Sequence, residues 1–117
     1  MSSIISVFGS SRCIENSEAY QSAFHLGGAL AQAGFTVATG GYSGIMAAVS
    51  RGAAEHGGHV IGVVYRSKAD KANQWVSEKL LVDTWQERLH TLIALGSGYA
   101  VCPGGTGTLA ELAVAWE

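Results

Sequence analysis

The sequence VCPGGTGTLAE occupies residues 101–111 and combines three local signals. An apolar run ends at Cys102, glycines follow, and Thr-Leu-Ala-Glu opens an apolar segment, which predicts a buried strand, a turn and a helix start. Glycines let a phosphate approach backbone N–H groups closely, and a helix start directs its positive dipole end at the same point. We therefore predict that a phosphate binds the loop formed by Pro103, Gly104, Gly105, Thr106, Gly107 and Thr108.

Glu111 lies one turn into the predicted helix. If the loop holds a nucleotide's phosphate, this carboxylate lies where the ribose would be, which makes it a candidate catalytic residue. The spacing Thr108-x-x-Glu111 also matches a capping box, in which the carboxylate only accepts a backbone N–H at the helix start. The sequence leaves both roles open.

Two further turns follow apolar strands earlier in the chain. Gly9, Ser10 and Ser11 follow a strand at 4–8, and Gly40, Gly41 and Gly44 follow a strand at 35–39. Ligands bind outside the carboxyl ends of the strands in parallel sheets, so these six residues are candidates for ligand contact together with the loop at 103–108. The bland alternative is that the glycines only let helices pack closely on strands.

Strands alternate with helices along the whole chain, which predicts an α/β fold. The remaining strands are expected at 59–64 and 99–102, a short extended piece at 80–82, and helices at 17–33, 43–55 and 84–95. The strands are almost entirely apolar, which is typical of a parallel sheet covered on both faces. We expect one Rossmann-like, doubly wound, nucleotide-binding domain spanning residues 1–117, with four main strands.

Arg88 is the second candidate catalytic residue. It lies just after Thr84-x-x-Glu87, a capping box, on a helix whose Trp85, Leu89 and Leu92 form the predicted buried stripe. Packing does not demand a guanidinium at this position. The alternative for Arg88 is that it is a solvated surface arginine. The alternative for Glu87 is that it only caps the helix start.

Composition narrows the function classes. Seven basic and nine acidic residues among 117 give a net charge of −2, which argues against nucleic acid or a membrane surface as a partner. No apolar run approaches the ~20 residues of a membrane helix, and residues 1–7 lack a signal peptide's basic start, so we expect a cytoplasmic protein. Two cysteines and four histidines without ligand spacing predict no metal site.

The motif Pro-Gly-Gly-x-Gly-Thr-x-x-Glu at 103–111 resembles the signature of the Lonely Guy family of cytokinin riboside 5′-monophosphate phosphoribohydrolases. Gly-Ser-Ser at 9–11, Gly-Gly-Tyr-Ser-Gly-Ile-Met at 40–46 and Glu-Arg at 87–88 stand in the family's order. The resemblance implies hydrolysis of a nucleoside 5′-monophosphate to a free base and ribose 5-phosphate, without a cofactor. It also implies a homodimer in which Arg88 and Glu111 are the functional pair.

The sequence departs from this family in three places. Tyr42 stands where a third glycine is usual, and Trp-Gln-Glu-Arg-Leu at 85–89 replaces a Met-His-Glu-Arg-Lys-like run, so the base is left open. Family members continue past the signature, whereas this chain stops at Glu117, which predicts a C-terminally shortened sheet with an uncovered apolar edge. A partner chain covering that edge and a shortened form of a longer protein are both open. The alternative function is a non-catalytic nucleotide or molybdenum-cofactor binding protein.

Overall fold

A computed structural model of the chain describes residues 3–102. Five strands in this range are β1 (Ile4–Phe8), β2 (Thr36–Thr39), β3 (Val60–Tyr65), β4 (Glu78–Val82) and β5 (Gly98–Val101). Three α-helices are α1 (Glu18–Gln32), α2 (Ile45–Glu55) and α3 (Trp85–Leu95). A 3-10 segment at Arg66–Lys71 precedes β4.

The five strands form one parallel sheet in the order β4-β3-β2-β1-β5. The chain moves outward from β1 to β4 on one side and then returns to add β5 on the other. The order of the strands therefore reverses between β1 and β5, and in such sheets the crevice at this point is where ligands bind.

The sheet is covered on both faces, because successive strand residues point to opposite sides. Val7, Val37 and Val60 pack with α1 and α2 in one buried cluster. Phe8, Ala38, Ile61 and Val63 pack with Leu89 and Leu92 of α3 in the other. The predicted α/β, Rossmann-like architecture is therefore confirmed.

Side-chain hydroxyls cap the starts of α1 and α3. The hydroxyl of Ser17 accepts a hydrogen bond from the backbone N–H of Tyr20 at the start of α1. The hydroxyl of Thr84 accepts one from the N–H of Glu87 at the start of α3, which confirms the first half of the predicted capping box. The Glu87 carboxylate accepts from the Thr84 hydroxyl rather than from the Thr84 backbone N–H that the motif predicts. Of the helices between residues 3 and 102, none is long and apolar enough to cross a membrane.

The prediction of four main strands is wrong for the described residues. The piece expected at 80–82 is the strand β4, which begins at Glu78 and pairs with β3 from Ile61 to Tyr65. Exposed Glu78 and Lys79 hide it in the sequence, because they break the apolar pattern of a central strand. Trp85 is 59% exposed, so the predicted buried stripe of α3 is reduced to Leu89 and Leu92.

Candidate functional site

The turns after β1 and β2 pack directly against each other. The N–H of Ile45, the first residue of α2, donates to the carbonyl oxygen of Ser10 over 2.9 Å. The hydroxyl of Ser43 donates to the carbonyl of Ser11 over 3.1 Å. Gly44 has a φ of 67° and lies so close to Ser10 and Ser11 that a Cβ atom would collide with their backbone. The glycine is therefore required for the two turns to meet.

The end of β5 reaches the same edge. The N–H of Cys102, which precedes Pro103, donates to the carbonyl of Phe8, which precedes Gly9, over 2.8 Å. The chain positions that enter the two glycine turns are thus neighbours at the reversal of strand order. Pro103, Gly104, Gly105, Thr106, Gly107, Thr108 and Glu111 lie outside the described residues.

The carboxyl end of β3 extends past the end of β2. Thr39, the last residue of β2, stands opposite Gly62, whereas β3 continues to Tyr65. The carbonyl of His59 accepts a hydrogen bond from β2, so the odd-numbered residues of β3 direct their backbone groups toward β2. The C=O of Val63 and the N–H of Tyr65 therefore face a notch beyond β2, where buried backbone groups need other partners.

Arg88 fills one half of this notch. Its Nε donates to the carbonyl oxygen of Val63 over 3.0 Å, and its Nη2 donates to the carbonyl of Gly40 over 2.9 Å. Nη2 also lies 3.4 Å from the sulfur of Met46. A Cβ atom on Gly40 would collide with the guanidinium, so the glycine makes room for Arg88. The alternative of a solvated surface arginine is wrong.

Tyr42 fills the other half. Its hydroxyl accepts a hydrogen bond from the N–H of Tyr65 over 2.7 Å. The two rings are nearly parallel, 14° apart, with centroids separated by 6.4 Å. The Cζ atom of Arg88 lies 5.3 Å from each centroid, a distance at which a cation is attracted to an aromatic ring.

Arg88 is partly buried, and residues 3–102 supply no matching negative charge beside it. Among residues 3–102 no carboxylate forms an ion pair with it, and its Nη1 donates no hydrogen bond there. Neutral carbonyls and rings fix its place but leave its charge uncompensated, which favours an anionic or electron-rich ligand beside it.

Asn73 ties the segment between β3 and β4 to the turn after β2. Its N–H donates to the carbonyl of Gly41, and its Nδ2 donates to the carbonyl of Tyr42, both over 2.8 Å. Its Oδ1 accepts a hydrogen bond from the N–H of Trp75. The first two bonds hold the backbone at Gly41 and Tyr42, and the third orders the Asn73 side chain.

A cleft of about 100 Å³ lies beside Arg88 and is lined by Trp85, Leu89 and Leu92. Pockets that bury small ligands usually measure roughly 300–1,000 Å³. The cleft formed by residues 3–102 is therefore smaller than such pockets.

The SLOG cluster4 family matches residues 2–117. The chain belongs to this family. Its resemblance to the Lonely Guy proteins is confirmed by a curated relative from Mycobacterium tuberculosis, a cytokinin riboside 5′-monophosphate phosphoribohydrolase, which is 36% identical over 107 residues. That alignment covers 86% of this chain and 56% of the relative, so the SLOG chain spans little more than half of that protein's length.

Solved structures similar to this SLOG chain include two proteins associated with molybdenum cofactor. The molybdenum cofactor binding protein from Rippkaea orientalis aligns with a TM-score of 0.86 and 28% identity, over 98% of this chain and 71% of that one. The molybdenum cofactor carrier protein from Chlamydomonas reinhardtii gives the same TM-score and identity, over 99% and 71%. Both proteins share the Rossmann-like fold of this chain.

Sequence reasoning missed Tyr65 and Asn73 in this SLOG chain. Tyr65 ends an apolar strand at the ligand edge, and that position was the available signal. Asn73 lies in a polar segment whose sequence gives no sign of its three hydrogen bonds.

The cysteines of this SLOG chain differ in environment. Cys102 is buried, and burial raises the pKa of its thiol, with a smaller contribution from Cys13. Cys13 is partly exposed, with its sulfur 3.2 Å from the hydroxyl of Ser17. Between residues 3 and 102, no three His, Cys, Asp or Glu residues are grouped as metal ligands.

Proposed function

We propose that the chain hydrolyses the N-glycosidic bond of a nucleoside 5′-monophosphate. The bond between C1′ of the ribose and the base nitrogen breaks, the water oxygen bonds to C1′, and a proton goes to the departing base. The products are the free base and ribose 5-phosphate. The observation that carries this proposal is Arg88, a partly buried cation without a carboxylate partner in residues 3–102, held at the carboxyl edge of a parallel sheet.

Each part of the substrate has a candidate partner. The loop at Pro103, Gly104, Gly105, Thr106, Gly107 and Thr108 binds the 5′-phosphate. Glu111 orients the water or stabilises the positive charge that develops on the ribose, as carboxylates do in glycoside cleavage. Gly9, Ser10, Ser11, Gly40, Gly41 and Gly44 line the floor between these groups.

Arg88 belongs to the base in this arrangement. It is fixed over the ends of β2 and β3, whereas the loop at 103–108 follows β5 on the far side of β1. Neighbouring strands are ~4.8 Å apart, so roughly 10–14 Å separate β3 from β1 and β5. A guanidinium there is suited to negative charge developing on the departing base.

The relatives support this function without deciding it. The Mycobacterium tuberculosis relative is named as a phosphoribohydrolase, and the sequence motifs stand in that family's order. A second candidate is a non-catalytic carrier, favoured by the similarity to the two molybdenum cofactor proteins. A carrier needs the phosphate loop, whereas it does not need Arg88 and Glu111 to act on C1′.

The cytoplasmic location and the homodimer stay predictions. Arg88 is bonded to carbonyls of its own sheet, so in a dimer we expect it to serve its own subunit's substrate.

Incubation with AMP separates the two functions. Free adenine and ribose 5-phosphate, quantified by chromatography in equal amounts, are expected from the unaltered chain and not from Glu111→Gln. Calorimetric binding of AMP without adenine release supports the carrier. A chain that neither binds AMP nor releases adenine would contradict both functions.

A further inference from the structure

We propose that Tyr42 and Tyr65 form an aromatic platform on which the base of the ligand stacks. This inference rests on the proposed function only in taking the ligand as a nucleotide. Their rings are 14° from parallel, and a centroid separation of 6.4 Å is typical of offset stacking, in which each ring leaves part of a face uncovered. Both side chains are partly buried, so each keeps part of its surface exposed.

The platform is rigid before any ligand arrives. The N–H of Tyr65 holds the hydroxyl of Tyr42 at 2.7 Å, and Asn73 holds the Tyr42 carbonyl at 2.8 Å. One ring is thus fixed at its tip and at its backbone. A surface already ordered in the free protein loses little side-chain entropy on binding, which favours affinity.

The platform lies one nucleotide's length from the predicted phosphate site. Tyr65 ends β3 and Tyr42 follows β2, whereas Phe8 and Cys102 mark the edge where β1 and β5 meet. One to two strand spacings separate β2 from this edge and two to three separate β3 from it, which is roughly 5–14 Å. A phosphate between β1 and β5 therefore puts the base of the same molecule over β2 and β3.

Arg88 completes the recognition surface. Its Cζ lies 5.3 Å from both ring centroids, and its Nη1 is the guanidinium nitrogen that bonds to nothing in residues 3–102. A base stacked on the rings would present its polar edge to this nitrogen. Because purines have more stacking area than pyrimidines, the platform selects a purine nucleotide.

Two substitutions separate the ring surface from the hydrogen bond that orders it. Tyr65→Leu removes one ring and keeps the Tyr65 N–H bonded to Tyr42. Tyr42→Phe keeps both rings and removes only that hydrogen bond. Trp85→Leu is the matched control, because it removes an exposed aromatic ring that lines the α3 cleft and is not part of the platform.

The test compares AMP with ribose 5-phosphate, which lacks a base, by calorimetry in a Glu111→Gln chain so that AMP survives. Tyr65→Leu is expected to weaken AMP binding by about 5- to 100-fold, the range of base–aromatic stacking, and to change ribose 5-phosphate binding less than about twofold. Tyr42→Phe keeps both rings and is expected to weaken AMP binding less than Tyr65→Leu does. Trp85→Leu is expected to leave both affinities within about threefold of the parent.

Equal losses for both ligands would mean that the tyrosines only support the site and would overturn the platform. A selective loss in Trp85→Leu instead would place the base in the α3 cleft and also overturn it. AMP hydrolysis by the unaltered chain is measured separately. A selective loss of AMP binding without hydrolysis would support the platform and contradict the hydrolase function. Hydrolysis without a selective loss would refute the platform alone. Absence of AMP binding would refute both the platform and the hydrolase function.

Discussion

Arg88 donates from Nε to the carbonyl oxygen of Val63, a residue 25 positions away in β3. A longer β2 would supply a backbone N–H to this carbonyl. Because β2 ends at Thr39, the Arg88 side chain donates the hydrogen bond instead. A residue suggested by its chemistry thus has a structural duty as well. Any test of its catalytic role must separate the two.

Arg88→Ala is expected to reduce both stability and activity. It removes the side-chain donor to the carbonyls of Val63 and Gly40, which lowers the free energy of unfolding by about 1–3 kcal/mol. Loss of a group that acts on the reacting base lowers turnover by about 10²- to 10⁴-fold. Thermal unfolding and adenine release measure the two effects separately.

Arg66→Ala is the control for charge. The Arg66 side chain is 62% exposed and pairs with Asp83 at the surface, so its removal is expected to change neither the melting temperature beyond a few degrees nor turnover. Full activity in Arg88→Ala, with a lowered melting temperature, would reduce Arg88 to its structural role.

Glu111→Gln is expected to abolish hydrolysis while sparing the fold. A glutamine keeps the size of the side chain and loses the charge, so turnover falls by about 10²- to 10⁴-fold, whereas a lost capping contact costs only ~1 kcal/mol. Adenine release and thermal melts report the two roles. Glu55→Gln, which alters an exposed pair with Arg51, is the control. Normal turnover with a lowered melting temperature would favour the capping role.

Gly44→Ala is expected to be more destabilising than Gly57→Ala. Both glycines have a positive φ, 67° and 73°, which costs an alanine about 1–2 kcal/mol. Gly57 has open space around it, whereas a Cβ at Gly44 collides with the backbone of Ser10 and Ser11. The difference between the urea-unfolding free energies of the two variants measures the cost of that collision. Equal losses would show that the two turns separate without cost.

The chain is expected to form dimers at low micromolar concentration. Tyr99 and Val101 on β5 are 48% and 38% exposed, and β5 borders the sheet within residues 3–102. Exposed apolar edges of this kind usually mark interfaces. Light scattering reports the mass, and Val101→Lys is expected to lower it. A monomer mass that does not vary with concentration would contradict the prediction.

Cys13 is expected to react with iodoacetamide well before Cys102 at pH 8. The thiolate is the reactive form, and burial raises the pKa of Cys102 while also blocking access. Peptide mass spectrometry assigns the label, and urea-unfolded chain is the control in which both cysteines react. Faster labelling of Cys102 would place it outside the core.

The raised pKa of Cys102 also means that this thiol contributes less stability as the pH rises above 9, because only the unfolded thiol ionises there.

Much of the fold is readable from local sequence, because each strand and helix carries its own pattern. The capping residues Ser17 and Thr84 and the glycine turns after β1 and β2 are examples. β4 is different: Glu78 and Lys79 are tolerated only because this strand is at the border of the sheet, which no local pattern reveals.

The candidate site is less readable, because its geometry depends on differences between distant elements. Arg88 is identifiable as an unexplained guanidinium, and Tyr42 as an unexpected residue in a glycine turn. Their shared place follows from β2 ending at Thr39 while β3 runs on to Tyr65. Relative strand length is a property of the assembled sheet, and the residues that respond to it lie in three separate segments.

The notch beyond β2 also couples the effects of substitutions at the residues that fill it. Tyr42 and Arg88 supply its acceptor and its donor, and the rings of Tyr42 and Tyr65 flank the same guanidinium. A change at one position alters what the others must do, so their substitutions should be epistatic, with double variants departing from the sum of the single ones. Among descendants of this sequence, these three positions are expected to change together or hardly at all.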